Sequence, residues 1–518
     1  MNKRRYRSIV TIFTLLGLVI LFLGLQTSRG KKALRAYKAE LVGKGERLTV
    51  TELDSPVSAE ANQAADRLLQ AASQLPQNGP ALFMNPPPTM RLVAPGKAMV
   101  GWRQPAIRSA KQTNHWEELE SDLEANADLL SQIRDELETG QIRWSLDYRQ
   151  GFSLLLPHLA KLKGTARWLA AGTMDALHHG RLGQSLTDLK LMLALADALR
   201  EEPLLISQLV RFSLDAIALE TTWEALQADG WNDAQLAELQ NAWQTREFFP
   251  PMEKSFQMER AMGILMFGRL RNSAIDPEQF GLSGPAGASP NPVTWPSSAV
   301  DFPEFLLEGI HGALARTAAF GQQRMWRWSW SYQDELNYVR YFQSTIQSLR
   351  EARQSAGFLG VRSSLDRADG LVFSNAPPFS LSKELVPSLN GAVLKAARME
   401  TQKEMVVAAV ALKRWRLRHG TLPASLTTLV PELLGRPPRD FMDGQTLRYR
   451  PRPDGTFLLY SVNDDGSDDG GDATPPPSRP GTRNPSLVNG RDLVWPMPAT
   501  EAEEAEAEAK GAKKIIRR

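Results

Sequence analysis

"LVRFSLDAIALETTWEAL", residues 209–226, decides the fold. Leu209, Phe212, Ser213, Ala216, Leu219, Trp223 and Leu226 recur mostly at three- and four-residue steps, which places them on one stripe of an α-helix. A stripe that apolar has to be covered by neighbouring elements. The next stretch, "GWNDAQLAELQNAW" (230–243), predicts a second helix with Asn232 as N-cap and Gln235 completing a capping box. Similar patterning runs from about Trp116 to Leu270 with short polar breaks, which implies antiparallel neighbours in a bundle or an irregular helical array. No fixed period recurs, so a regular solenoid is not expected.

Outward from that region, a helix is expected over Val57–Leu75, broken afterwards by the prolines and glycine of "NPPPTMRLVAPGK" (85–97). Residues 272–303 contain "GLSGPAGASPNPVTWPSS" and read as a Gly/Pro/Ser linker. Helical pattern resumes at Glu304 and includes "MWRWSWSYQDE" (325–335). Its indoles at Trp326, Trp328 and Trp330 suit either a stacking platform for bases or sugars or packing against a helix, and packing is the expected reading. A further helix spans about Val393–Arg418, and its centre "MVVAAVAL" (405–412) is apolar nearly all round, so it should be buried on several sides. "LRYR" and "TFLLYSV" flank the turn "PRPDG" as a hairpin does, and "DLVW" (492–495) offers a third short strand. The last eighteen residues, "EAEEAEAEAKGAKKIIRR", are a charged tail expected as solvated helix or disorder.

The amino-terminal run Ile9–Leu25, "IVTIFTLLGLVILFLGL", carries no charge and no proline. As a helix it is about 26 Å long, close to the ~30 Å hydrocarbon core of a bilayer. It is flanked by Lys3, Arg4, Arg5 and Arg7 before and Arg29, Lys31, Lys32 and Arg35 after, and "LGLQTSRGKK" lacks a small-residue cleavage site. An uncleaved single-pass anchor is expected, although cations on both sides leave its orientation open. A bacterial inner-membrane location with the bulk of the chain periplasmic is the accompanying expectation.

Composition narrows the chemistry. Of 518 residues, 42% are hydrophobic and 23% charged, an ordinary globular balance, and the net charge of +3 provides no field that would argue for nucleic acid. Cysteine is absent, which removes disulfides, thiol catalysis and cysteine metal sites. The six histidines, His115, His158, His178, His179, His311 and His419, fall in no zinc-enzyme spacing. His178–His179 before Gly180 and His419 before Gly420 read as helix ends, and His158 after Pro157 as a helix boundary. Hydrolase elbow, Walker and dinucleotide fingerprints do not occur. Glu253 and Glu259 lie six apart, on different faces of a helix, and are expected to be solvated or ion-paired rather than an acid–base couple.

One stretch does gather chemistry. "ALKRWRLRHGTLPASLTTLVPELLGRPPRDFMDGQTLRYRPRPDGTFLLYSVNDDGSDDGGD", followed by "RDLVW", resembles the carboxy-terminal domain of the major pseudopilin of type II secretion systems. Gly420, Pro423, Leu426, Asp440, Gly444, Tyr449, Tyr460, Ser461, Asp465, Gly466 and Asp492 fall in that family's order. The resemblance implies a small α+β domain and, by position, a calcium loop with Asp465, Asp468, Asp469, Asp472 and Asp492 as candidate ligands. Independently, Ca²⁺ takes six to eight oxygens, and glycines let several carboxylates converge, while Asp and Gly are also the residues of any exposed turn. Asp465, Ser467, Asp469 and Gly470 match the first half of an EF-hand loop, but Pro476 stands where its bidentate glutamate belongs. The pseudopilin export glutamate is missing from "RSIVTIFTLLGLV", and most of the chain separates that helix from this domain. The helical region "LMLALADALREEPLLISQLVRFSLDAIALE" is similar to membrane-anchored proteins common in planctomycetes and verrucomicrobia that carry such an end.

The sequence thus predicts a mainly α protein: an anchor (1–30), a helix and loop connector (31–115), a helical domain (116–271), a linker (272–303), a second helical region (304–392), a pseudopilin-like α+β domain (393–496) and the tail (497–518). The expected function is non-enzymatic, mediating contacts with other envelope proteins from a membrane held through Ile9–Leu25, with no nucleic acid partner. An extracytoplasmic helical enzyme of unidentified class is the alternative.

Overall fold

The computed structural model describes residues 3–76, 90–108, 113–138, 140–272, 326–373, 380, 382, 389–476 and 489–516. Most of the linker expected at 272–303, the helical pattern from Glu304 to Met325, and His311 lie outside them. The described chain is mainly helical with small sheets, as the periodicities require.

Helix α1 runs unbroken over Lys3–Gly43. Helix α2, Ala59–Gln74, begins at Ser58, whose Oγ accepts from the Ala61 N–H at 3.1 Å. Then come α3 (Trp116–Ala125), α4 (Ala127–Glu138), α5 (His158–His178), α6 (Leu182–Asp197), α7 (Leu205–Leu226), α8 (Asp233–Gln244) and α9 (Phe249–Arg271). The anticipated capping box holds α8, with Asn232 Oδ1 accepting from Gln235 N–H at 2.9 Å and Gln235 Oε1 from Asn232 N–H at 3.2 Å. Helices α10 (Ser331–Glu351), α11 (Gly357–Phe373), α12 (Leu389–His419) and α13 (Glu501–Ile516) follow, and a single helical turn, Val50–Leu53, lies between α1 and α2.

Two large apolar cores form among the described residues, beside a small cluster of Val50, Tyr148, Leu204, Met258, Ala261 and Met262. One gathers α2, α4, α5, α6, α8 and most of α7, and the other gathers α9, α10, α11 and the second half of α1. Helix α12 serves both. Leu389, Val393, Ala396 and Met399 fill the second core, and Met405–Leu412 the first, buried all round as their composition predicts. Helix α12 starts at Leu389 rather than near Val393, and its two halves hold the two cores together. Helix α7 is shared in the same way, through Leu205, Leu209 and Phe212 on one side and Leu214, Ala218 and Trp223 on the other.

The connector at 31–115 contains strands where only breaks were expected. β1 (Arg91–Ala94) and β2 (Lys97–Met99) pair antiparallel around Gly96 at φ +67°, and β3 (Ile107–Arg108) pairs with β4 (Thr113–Asn114). The Pro95–Gly96 pair is a turn signal between two apolar runs, which the preceding prolines obscured. The hairpin predicted near the carboxy terminus is present: β5 (Arg448–Pro451) pairs with β6 (Phe457–Ser461), and β7 (Leu493–Val494) adds to β6. β8 (Met497–Pro498) then crosses to run parallel to β2, which joins the two ends of the chain in one sheet. Trp223 Nε1 of α7 donates to Pro496 O at 2.8 Å, so the sheet-bearing end is part of the helical body. The acidic tail is helix α13, started by Thr500 and tied down by an ion pair between Lys97 and Glu503.

Candidate functional site

The aspartate-rich loop hangs from a buried carboxylate. Asp440 is fully buried, and its oxygens accept from Met442 N–H (2.9 Å), Ser461 Oγ (2.9 Å), Val462 N–H (3.2 Å) and Arg448 Nη1 (2.9 Å). Thr401 of α12 reaches it at 3.4 Å. Burial pushes Asp440 up to about 6. The same residue therefore fixes the end of β6, the turn before β5 and the face of α12. Beyond β6 the chain turns at Asn463, φ +54°, whose amide donates to Gly490 O at 2.9 Å and closes the loop against the segment leading to β7.

Within this frame the five predicted ligands divide. Asp492 is buried; its Oδ2 accepts from Gly471 N–H at 2.7 Å and Asp472 N–H at 3.2 Å, while its Oδ1 is buried with no hydrogen-bond partner. Burial raises its pKa against the pull of those amides. The other four turn to local partners. Asp465 caps Ser467 N–H at 3.0 Å, and Asp468 accepts from Gly470 N–H at 3.0 Å and Tyr460 Oη at 2.9 Å. Asp472 accepts from Thr474 N–H and Oγ1, both at 2.9 Å. Arg491 stands 3.6 Å from both Asp469 and Asp472. Among the described residues, no group of three or more acidic or histidine side chains is placed to hold a metal ion. As arranged, the loop is a set of self-capping turns over one unpaired carboxylate oxygen, and a cation would have to displace Arg491 and the loop's own amides.

Three glutamates of the helical body act as caps for elements other than their own. Glu400 of α12 accepts at Oε1 from Phe248 N–H (2.7 Å) and Phe249 N–H (3.4 Å), the open end of α9, while Lys403 Nζ lies 2.8 Å from its Oε2. Glu259 of α9 accepts from Leu205 N–H at 3.2 Å at the start of α7, and burial pushes it up to about 7. Glu224 of α7 accepts from Met90 N–H (2.8 Å) and Gly101 N–H (3.0 Å), and burial likewise raises it to about 7. Glu259 thus corrects the expectation of a solvated or ion-paired residue; Glu253 meets it, with Arg350 Nη2 at 2.7 Å.

Four of the described histidines have structural roles too. His178 Nδ1 is 2.8 Å from Trp102 O with its ring stacked on Trp116, and His179 is the C-cap of α5. His419 ends α12 before Gly420 at φ +76°. His158 opens α5 but is also buried, its Nε2 3.0 Å from Glu202 Oε2, with Ser207 Oγ donating to the other oxygen of Glu202. Serine and histidine both spend their bonds on the glutamate, which leaves no serine–histidine couple to generate a nucleophile. Between α6, α7 and the start of α9, Arg211, Arg246, Asp215 and Asp197 form an ion cluster, with Arg246 Nη2 2.5 Å from Asp215 and Nη1 3.1 Å from Asp197. A pocket of about 160 Å³ lies between α11 and α12, lined by Phe358, Arg362, Asp366, Asn390 and Asp464 among others. It is too small to enclose a typical organic substrate.

Sequence reading missed Glu400, Glu224 and the His158–Glu202 pair, because nothing local marks a glutamate that caps a distant helix. Comparison with known proteins finds no matching family model, no similar curated protein and no similar solved structure. What fold and site define is a mainly helical protein built around a shared central helix, with a small β-sheet end and a capped aspartate loop.

Proposed function

We propose that the protein is a single-pass envelope protein whose helical body mediates contacts with other envelope proteins and whose aspartate loop takes Ca²⁺ as a structural ion. The observation that carries the anchor is the asymmetry of α1. Phe13, Leu15, Leu18, Leu21, Phe22 and Leu25 are each at least half exposed, whereas Leu34 and Leu41, farther along the same helix, are buried. Apolar side chains exposed on successive turns of a protruding helix need a non-aqueous partner. Among the residues whose side chains are described, no helix is long and apolar enough to cross a membrane; residues 9, 10, 12, 16, 19 and 20 of the apolar run lie outside that set.

A non-enzymatic role is supported by the use of the buried acids and histidines as caps and pair partners. The likeness to the pseudopilin end supports an extracytoplasmic body and the calcium loop, and the unpaired Oδ1 of Asp492 is the oxygen best suited to receive a cation. The anchor is tested by fractionation: the full-length chain should stay with membranes through an alkaline wash, and deletion of residues 1–25 should release it. Recovery of the intact full-length chain in the aqueous phase would remove the anchor and the envelope assignment together.

A further inference from the structure

We infer that Trp328 and the cations just below the apolar part of α1 form a second membrane contact, a collar that seats the body against anionic phospholipid headgroups. This rests on the anchor reading above and adds a surface to it. Trp328 is 74% exposed, the most exposed tryptophan among the described residues. Its backbone lies against α1, where the one Thr27 hydroxyl proton is shared between Trp328 O and Leu23 O, the latter at 3.0 Å. Thr27 lies two residues beyond Leu25, about 3 Å along the helix axis, so the indole is attached where the apolar run ends.

The close approach depends on Gly30, which is buried. A Cβ there would sit 3.3 Å from Gln333 N and 3.4 Å from Tyr332 Cβ. Tyr332 in turn lies under Lys31, 5.7 Å from its ring centroid, and Arg271, 4.5 Å away. Arg29, Lys31, Lys32 and Arg35 are exposed on the same two turns of α1. The set therefore presents an indole, a half-buried phenol and several cations within the two to three turns that follow the apolar run. An indole is favoured at the headgroup level, where its apolar ring and its N–H are both satisfied, and clustered Lys and Arg beside a membrane helix attract anionic lipids. The companions Trp326 and Trp330 do not share this exposure: Trp326 is buried and donates from Nε1 to Asp334 Oδ2 at 2.8 Å, and Trp330 is half-buried. Packing thus accounts for Trp326, and the collar for Trp328.

The absence of cysteine makes the test direct. Trp328→Cys, Leu21→Cys and Leu417→Cys, each in the full-length chain, give single thiols for a nitroxide label at the collar, inside the proposed span and at the far end of α12. The proteins are reconstituted in phosphatidylcholine vesicles with and without phosphatidylglycerol, and collision of each label with oxygen and with a water-soluble nickel chelate is measured. The expected result is oxygen-favoured collision at residue 21 and, at residue 328, nickel access several-fold below that at residue 417 when phosphatidylglycerol is present. Adding Lys31→Glu, Lys32→Glu and Arg35→Glu should raise nickel access at residue 328. A residue-328 label as open to nickel as the residue-417 label, with residue 21 in lipid, overturns the collar and leaves the anchor standing. A residue-21 label as open as residue 417 overturns the anchor itself.

Discussion

Two populations of carboxylates divide the molecule. In the helical body, Glu224 and Glu400 are buried and Glu259 is half-buried, and each accepts from backbone N–H at the start of another element. In the loop, Asp465, Asp468 and Asp472 lie at the surface and cap amides two residues onward in their own turn. Burial raises the pKa of Glu224 and Glu259, whereas local amide and hydroxyl donors lower that of Asp468 and Asp472. A conspicuous cluster of acids in a sequence is thus the part of this protein least committed to its fold, and isolated glutamates inside apolar helices are the most committed.

That contrast can be broken first at Glu400. Glu400→Ala leaves the buried Phe248 and Phe249 amides without their acceptor and the Lys403 ammonium with only Glu404, 3.3 Å away, and Arg246 O; with each orphaned buried donor costing about 1–3 kcal/mol, about 3–5 kcal/mol of stability should be lost in a denaturant titration. A loss below ~1 kcal/mol would mean that water replaces the cap.

The pH response sharpens the same contrast. Glu259 is raised from 4.5 to about 7, so the folded state holds its proton more tightly than the unfolded state does. Its contribution is complete below pH ~4.5 and is lost as pH rises towards 7, a change of about 3 kcal/mol. Glu259→Gln, which keeps an acceptor for the Leu205 N–H, should therefore be more stable than the parent at pH 8. The two should converge near pH 4.5, as urea midpoints at both pH values would reveal.

Calcium probes the loop. At a hundredfold excess over its dissociation constant, an ion bound only by the folded state stabilises it by ~2.7 kcal/mol. The thermal midpoint should rise with calcium in the parent and stay fixed in Asp492→Asn. An equal rise in both would place the ion elsewhere. The smallest effects belong to the exposed aspartates without calcium: Asp468→Ala should cost about 1 kcal/mol through the Tyr460 hydroxyl, and Asp465→Ala less than ~0.5 kcal/mol.

Much of the architecture was legible because it is local. The apolar stripe of α7, the Asn232 capping box, the helix expected over Val57–Leu75 and the β5–β6 hairpin around Asp454–Gly455 all follow from side-chain periodicity and from the backbone preferences of a few residues. The β1–β2 hairpin was hidden by the prolines before it, since a breaker cluster and a hairpin turn use the same residues. For the loop, the sequence identified which aspartates gather but not which partners they choose, and Arg491 and Thr474 compete for the same oxygens. Asp492 was named as a ligand from its position in a family pattern, and only the fold shows that one of its oxygens is buried and unpaired.

By itself, the sequence determined the helical class, the limits of a few helices, the apolar amino-terminal run and the three-stranded end, because those depend on interactions within a few residues or on hydration of whole segments. Tertiary structure alone decided that α12 unites two cores, that β8 returns to β2, and that Glu224, Glu259 and Glu400 cap elements far away in the chain. The reason is physical: a buried N–H at a helix start requires an acceptor, and whichever carboxylate packing brings within about 3 Å supplies it. Sequence distance plays no part in that choice.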